Sequence, residues 1–133
     1  MIVHQTLLPE GWPRPKGYAN GVSARGRMVF TGGIIGWDEN EHFAADDLAG
    51  QLRQVLRNTL AVLAAGEAGP EHIVRMTWYV TSRADYLESL PEIGAAWREL
   101  MGKCFPAMAV VEVSALVEAK AKLEIETTAV VPD

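Results

Sequence analysis

The chain has 133 residues, of which 49% are hydrophobic and 22% are charged, and its formal net charge is −5. This length and composition predict one globular domain over residues 1–133, long enough to bury a hydrophobic core. The acidic balance argues against a nucleic-acid partner, because non-specific binding to nucleic acid needs a basic surface. No apolar run approaches 18 residues, so we expect no membrane-spanning helix and no membrane partner.

Cysteine and histidine are sparse. The single cysteine, Cys104, cannot form an internal disulfide, and the N-terminus lacks the pattern of a signal peptide, so a cytoplasmic protein is expected. We expect Cys104 to pack as a small hydrophobic residue rather than act as a reactive thiol. The three histidines lack the spacing of metal ligands, and no phosphate- or dinucleotide-binding glycine motif occurs. The sequence therefore predicts neither a metal nor a cofactor.

The first 43 residues show no helical periodicity. They predict a strand, an irregular loop and a hairpin of two strands around a short turn, at Ile2–Leu7, Pro9–Gly17, Tyr18–Ser23 and Met28–Ile35, with Ala24–Arg27 as the turn. Gly32, Gly33 and Gly36 interrupt the last strand. Glycines inside a strand are typical of a bulge or of close approach by a ligand.

A first helix follows. Asp46 or Asp47 is the predicted N-cap, and Gly66 the predicted end. The apolar side chains that recur at helical spacing are Leu48, Leu52, Val55, Leu56, Leu60 and Leu63. The side chains assigned to the solvent-facing side are Gln51, Arg53, Gln54, Arg57 and Asn58. Such a stripe predicts packing against the core.

A second helix follows a strand at Ile73–Thr81. Both faces of that strand are partly apolar, which indicates a central strand or one covered by another subunit. The helix is expected to begin with a capping box from Ser89 to Glu92 and to end at Gly102. Ser82–Asp85 is a possible earlier helical turn.

Two strands close the chain, at Ala107–Val113 and Lys120–Val131. In the second, hydrophobic and polar residues alternate with a period of two, which is a strong strand signal. Glu124 falls on the polar face of this strand.

The resulting order, β-β-β-α-β-α-β-β, predicts an α+β fold: one six-stranded mixed sheet with two helices packed on one face. We expect the other face to expose apolar side chains, among them Trp78, Met108 and Val111. An exposed apolar sheet face predicts association with further subunits.

The segment from Phe105 to Ala107, the Val-Glu-Val run that ends at Val113, and the Leu-Glu-Ile-Glu run that starts at Leu123 together resemble the RidA (YjgF/YER057c/UK114) family. Members of this family are imine and enamine deaminases that act on reactive intermediates. The resemblance covers the chain from Gly17 onward. It implies a chorismate-mutase-like α+β fold and a homotrimer that binds small molecules in clefts between neighbouring subunits.

The resemblance also implies site residues. Tyr18 would be a cleft wall or proton relay, and Glu124 would position and activate the attacking water. The residues that would bind substrate are Gly32, Gly33, Ile34, Phe105, Ala107 and Met108. Gly32 and Ile34 stand where the family carries a serine and a glutamine.

Met108 stands where the family's arginine grips the substrate carboxylate through two charge-assisted hydrogen bonds. Methionine offers no donor, only flexible apolar volume. We therefore expect little activity on 2-aminoacrylate or 2-iminobutanoate, and a preference for a larger, more apolar or neutral ligand. An arginine reaching the cleft from elsewhere, such as Arg25, Arg75 or one from a neighbouring subunit, would reverse this expectation.

Three functions remain open from the sequence. The first is a small-molecule hydrolase or deaminase with altered specificity, in which Glu124 serves as general base. The second is a non-catalytic ligand-binding or regulatory trimer. The third is an endoribonuclease of the L-PSP type, against which the acidic charge argues. The sequence also does not decide whether Glu124 is merely a solvated strand residue, or whether Glu112 faces the cleft or a subunit contact.

Overall fold

The structure is a computed structural model and describes residues 3–133. The strands in this range are β1 (Gln5–Leu7), β2 (Gly21–Ser23), β3 (Arg27–Phe30), β4 (Ile34–Ile35), β5 (Ile73–Val80), β6 (Ala107–Glu112) and β7 (Leu123–Val131). The helices are α1 (Leu48–Ala65), α2 (Arg83–Glu88) and α3 (Leu90–Met101). None of these helices is both long and apolar enough to cross a membrane.

The main sheet has five strands. Its order is β3-β7-β5-β6, and β4 pairs with β7 as well. The β5–β6 pair is parallel and the other pairs are antiparallel. The predicted α+β class and mixed sheet are therefore confirmed. The strands are divided, however, because β1 and β2 form a separate antiparallel pair.

The predicted hairpin between Tyr18–Ser23 and Met28–Ile35 is wrong. β2 pairs with β1, and β3 pairs with the end of β7. Gly26 explains the change of partner. Its φ of 146° and its close packing against the Val131 carbonyl leave no space for a side chain. The turn at Gly26 therefore places β3 next to the end of β7. Of the predicted first strand, Gln5–Leu7 is observed, and Ile2 lies outside the described residues.

The hydrophobic core lies between the main sheet and the two longer helices, α1 and α3. The predicted alternation in β7 is confirmed, since Leu123, Ile125, Thr127 and Ala129 are buried toward the helices. Strand β5 is central, as predicted, and contributes Met76, Trp78 and Val80 to the same core. We call the side of the main sheet that faces these helices the core face, and the opposite side the open face.

Trp78 and Met108 lie on the core face, so their predicted place on the open face is wrong. Trp78 is only 2% exposed. Met108 is the register partner of Met76 in the parallel β5–β6 pair and packs against the core. Side chains on paired residues point to the same side of a sheet, which fixes the direction of Met108.

The helix ends follow the sequence in part. Asp47 caps α1, accepting a hydrogen bond from the Gly50 amide at 3.2 Å. The turn predicted at Ser82–Asp85 is the start of α2, where Ser82 accepts from the Asp85 amide. Ser89 begins α3 but its side chain makes no capping bond. Its φ and ψ of −95° and 5° are not the extended conformation that a capping box needs.

Gln51 is buried, not solvent-facing as predicted from its place on α1. It is 1% exposed, and its amide nitrogen donates to the carbonyls of Ala45 and Lys120. Its amide oxygen accepts from the Lys122 backbone at 2.8 Å. The side chain thus ties α1 to the residues that lead into β7.

Candidate functional site

A cavity of about 530 Å³ opens between α3, the start of β6 and the segment 16–18. Three of the predicted site residues line it: Tyr18, Phe105 and Met108. The backbone explains how the first two meet. The Ala19 amide donates to the Pro106 carbonyl at 2.9 Å, and Ala19 forms an isolated bridge with Ala107. This bridge holds Tyr18 beside Phe105.

The opposite wall of the cavity is one face of α3. Leu90, Ile93, Gly94, Trp97 and Arg98 line it, at the spacing that places side chains along one side of a helix. The Trp97 indole is fixed by a 3.0 Å hydrogen bond to the Cys104 carbonyl. Arg98 was missed by reasoning from the sequence, although its position next to Trp97 on the border of the apolar stripe was a signal.

Two side chains near this cavity have a raised pKa because they are buried. Burial raises the pKa of the Tyr86 hydroxyl, which lines the cavity, so this group stays protonated and neutral. Burial is also the main cause that raises the pKa of Cys104. A raised pKa lowers the thiolate fraction, which is the reactive form of cysteine.

Glu124 lies elsewhere, on the open face. Its register partners are Ile35 on β4 and Tyr79 on β5. The Tyr79 hydroxyl donates a 2.8 Å hydrogen bond to Glu126, two residues along β7. That bond is the main cause of a raised pKa at Tyr79, and the charge of Glu124 adds to it. Glu124, Glu126 and Tyr79 thus form an acidic group on the open face.

Gly33 lies directly beneath the Glu124 carboxylate. A β carbon placed on Gly33 would contact Glu124 Oε2 and lie 2.8 Å from its carboxyl carbon, whereas one placed on Gly32 would meet nothing within 4 Å. Thr31 fixes this segment, because its hydroxyl oxygen accepts from the Thr127 amide at 3.0 Å. Of the predicted residues, Gly33 and Glu124 are therefore neighbours, whereas Gly32 faces open space.

Two other predicted residues lie apart from both groups. Ile34 pairs with Ile125 and packs against the hydrophobic core. Ala107 follows the cavity wall, but its side chain points to the face opposite that of Met108. The Glu112 carboxylate accepts a hydrogen bond from the Arg83 amide at the start of α2, so it has a partner within the chain.

The predicted site is thus divided within one chain. Tyr18, Phe105 and Met108 line a cavity on the core face, and Glu124 with its glycine lies on the open face. The sheet separates the two groups. Across residues 3–133, no three His, Cys, Asp or Glu side chains come close enough to hold a metal ion.

Comparison with known proteins identifies the fold and the protein family. The family described as Endoribonuclease L-PSP matches residues 13–131. The chain belongs to that family, which includes the RidA (YjgF/YER057c/UK114) proteins. The resemblance predicted from the C-terminal strands is therefore confirmed.

Among solved Rid-family structures, YyfB from Yersinia pestis is similar over 97% of this chain and 99% of its own, with 29% identity and a TM-score of 0.83. The YjgF gene product of E. coli is similar over 95% and 98% of the two chains, with 31% identity and a TM-score of 0.67. Protein DfrA from Myxococcus xanthus is 34% identical over 110 residues, 79% of this chain and 77% of its own.

In this Rid-family protein, the cations close to the Pro-Ala step come from outside strand β6. Met108 supplies no cation after that step, and neither Arg25 nor Arg75 lines the cavity. Arg75 lies on β5 and points to the open face. The cations that do line the cavity are Arg98 from α3 and Lys16 from the segment before β2.

Proposed function

We propose that this protein is a cytoplasmic homotrimeric hydrolase that deaminates a reactive imine, enamine or related metabolite in clefts between subunits. One observation carries the proposal: the Glu124 carboxylate and the cavity at Met108 lie on opposite faces of one sheet. A single chain cannot bring them to one ligand. Two chains can, if the open face of one packs beside the cavity of the next.

The chemistry asks for a base and a shaped, largely apolar wall. Glu124 would position a water molecule and accept its proton as the oxygen attacks the imine carbon. The carbinolamine would then release ammonia and leave a carbonyl. Tyr18, whose side chain is 44% exposed in the single chain, would close the wall or relay a proton. No cofactor is needed, because hydrolysis of an imine consumes only water.

Trimer formation is supported by the open face. Met28 and Phe30 on β3 and Val111 on β6 are register partners of open-face residues, and all three are exposed. Phe30 has the largest exposed fraction of the three, 62%. Such an apolar face is costly in water and is typical of a subunit contact.

Replacing Phe30 with lysine is expected to dissociate the oligomer. A charge at the centre of an apolar contact loses its hydration without gaining a partner, so assembly should weaken by at least a hundredfold. Sedimentation velocity would show a shift from about 43 kDa, three times the 14.5 kDa chain, to the monomer. The matched control is Val117→Lys, which alters an apolar residue that is 96% exposed, in the connection between β6 and β7. An unchanged sedimentation profile for Phe30→Lys would exclude this face as the contact.

Gly33→Ala is expected to lower turnover by about tenfold to a hundredfold while the fold is kept. The added methyl would displace the end of a flexible side chain, the Glu124 carboxylate, rather than backbone. A displacement of a catalytic group that is large enough to relieve this overlap lowers the reaction rate strongly. Gly32→Ala is the control, because its methyl would point into open space. Steady-state rates with imines generated in situ by an amino-acid oxidase would compare the two variants. Equal rates would argue against a role for Glu124.

A non-catalytic trimer is the competing function. A screen of imines from alanine, leucine and phenylalanine, followed by ammonia and oxo-acid release, separates the two. Release faster than the spontaneous rate supports the hydrolase, and no acceleration with any imine supports the binder. A structural neighbour from Thermotoga maritima, 25% identical with a TM-score of 0.70, is described as a putative endoribonuclease. The net charge of −5 does not favour RNA as the ligand here.

A further inference from the structure

The cavity at Met108 is cationic, although the chain as a whole is acidic. Lys16 and Arg98 line it, and no aspartate or glutamate of the described residues does. The whole chain has 17 acidic and 12 basic residues, so a cavity with two cations and no acid departs from the general surface. Charges of one sign around a concave, low-dielectric wall focus their field on a ligand inside.

Arg98 is directed toward the cavity face of its helix. Its guanidinium lies back over Gly94, where an added β carbon would be 3.3 Å from Arg98 Nη1. The adjacent acid, Glu99, forms an ion pair with Arg53 instead. Arg98 itself has no ion-pair partner within residues 3–133. Its guanidinium is therefore free to bind an anion in the cavity.

The remaining wall is apolar and aromatic. Tyr86, Trp97, Phe105 and Met108 line it, and Trp78 contributes an indole nitrogen that is buried with no acceptor in the described part of the chain. The volume of about 530 Å³ falls within the usual range for small-molecule sites. The volume exceeds what a two- or three-carbon acid would fill, and the aromatic side chains suit a bulky apolar group.

We propose that this cavity binds a carboxylate that bears an aromatic or branched apolar group, and that Arg98, assisted by Lys16, holds the carboxylate. Arginine presents paired donors that match both carboxylate oxygens, and lysine adds a point charge. The apolar group packs against Trp97, Phe105 and Met108. The carboxylate anchor has thus moved from the strand to α3, and Met108 now contributes to the surface that contacts the side chain.

The substrate class follows, and this step rests on the proposed function. An imine that binds here is a 2-imino acid with a large apolar side chain. The small imino acids that a strand arginine would favour lack the apolar group that fills the space next to Met108. A reaction that oxidises large apolar amino acids at the bond between the α carbon and the amine, and passes the two electrons to an oxidant of its own, would supply such an imine.

Calorimetric titration of the intact oligomer tests the anion site without turnover. Three probes separate its parts: 3-phenylpropanoate, its neutral isostere 3-phenylpropanamide, and propanoate. We expect the phenyl acid to bind at least tenfold more tightly than either of the other two. Arg98→Met should weaken the phenyl acid by about tenfold, the range of one charge-assisted contact near solvent. It should leave the amide unchanged, which also reports that the cavity is intact.

The matched control is Arg57→Met, which removes an exposed arginine of α1 that does not line this cavity. This variant should bind all three probes like the unaltered protein. Equal affinity for acid and amide, no binding of any probe, or an Arg98→Met variant that binds the acid normally would each overturn the proposal.

Measured binding and measured turnover together distinguish a failure of the anion site from a failure of the proposed hydrolase function. If the phenyl acid requires Arg98 but no imine is hydrolysed, the anion site stands and the hydrolase fails. If imines are hydrolysed at rates that Arg98→Met leaves unchanged, the hydrolase stands and the anion site fails.

Discussion

Glu124→Gln should reduce turnover of any imine substrate by about 10² to 10⁴, the usual contribution of a general base. Glutamine keeps the shape of the side chain over Gly33 but cannot accept the proton of the attacking water. Because the Glu124 carboxylate forms no ion pair within residues 3–133, the fold and the oligomer should be unaffected. Single-turnover rates, circular dichroism and sedimentation of the same sample would measure all three.

The control for this substitution is Glu126→Gln. Glu126 lies on the same face of β7, two residues further on, and accepts the Tyr79 hydroxyl. Its replacement makes the same change of charge next to Glu124 but removes no proposed base, so we expect less than a tenfold loss. If Glu124→Gln turns over normally, or if the two variants lose the same factor, Glu124 is not the base.

Gln51→Met should lower the free energy of unfolding by about 3 kcal/mol. The change keeps the volume of the side chain but removes three hydrogen bonds, to Ala45, Lys120 and Lys122. Each buried backbone group left without a partner costs about 1–3 kcal/mol. In a domain of this size that loss corresponds to roughly 10 °C in melting temperature. Urea denaturation and calorimetry would measure both quantities.

Gln54→Met is the comparison on the same helix. Within the part of the chain that the structure describes, the Gln54 amide bonds only to the Asn58 side chain, one turn away. We expect its loss to change stability by about 0.5 kcal/mol, since no buried backbone group loses a partner. A Gln51 variant as stable as the Gln54 variant would show that the link from α1 to the start of β7 contributes little.

The parts of the fold that the sequence predicted correctly are those set by local periodicity. Strand β7 alternates because one face is buried, and the leucines of α1 recur at 3.6 residues because they meet the sheet. The partners of the strands were not predictable in this way. Whether β2 pairs with β1 or with β3 depends on Gly26 and on the end of β7, more than a hundred residues away.

The site shows the same limit. Glu124 was assigned correctly to the polar face of its strand, and Tyr18, Phe105 and Met108 do line one cavity. Their separation was not foreseen, because the parallel register of β5 and β6 sets the direction of Met108. Gln51 was assigned to the solvent-facing side of α1, and Arg98 was given no role. The backbone partners of Gln51 lie outside α1, so the spacing of that helix does not indicate them. Arg98 differs, because its place at the border of the apolar stripe of α3 was a signal.

If the proposed clefts between subunits exist, the opposite positions of Glu124 and the cavity at Met108 make protein concentration a regulator of activity. If each working cleft takes one group from each of two neighbours, a correctly folded monomer has no activity at all. Dilution below the dissociation constant of the oligomer then removes the activity as fully as an inhibitor would. The rate per chain rises with the concentration of the protein. When the concentration of the chain is close to that constant, a cell that halves its supply of the chain loses more than half of its capacity.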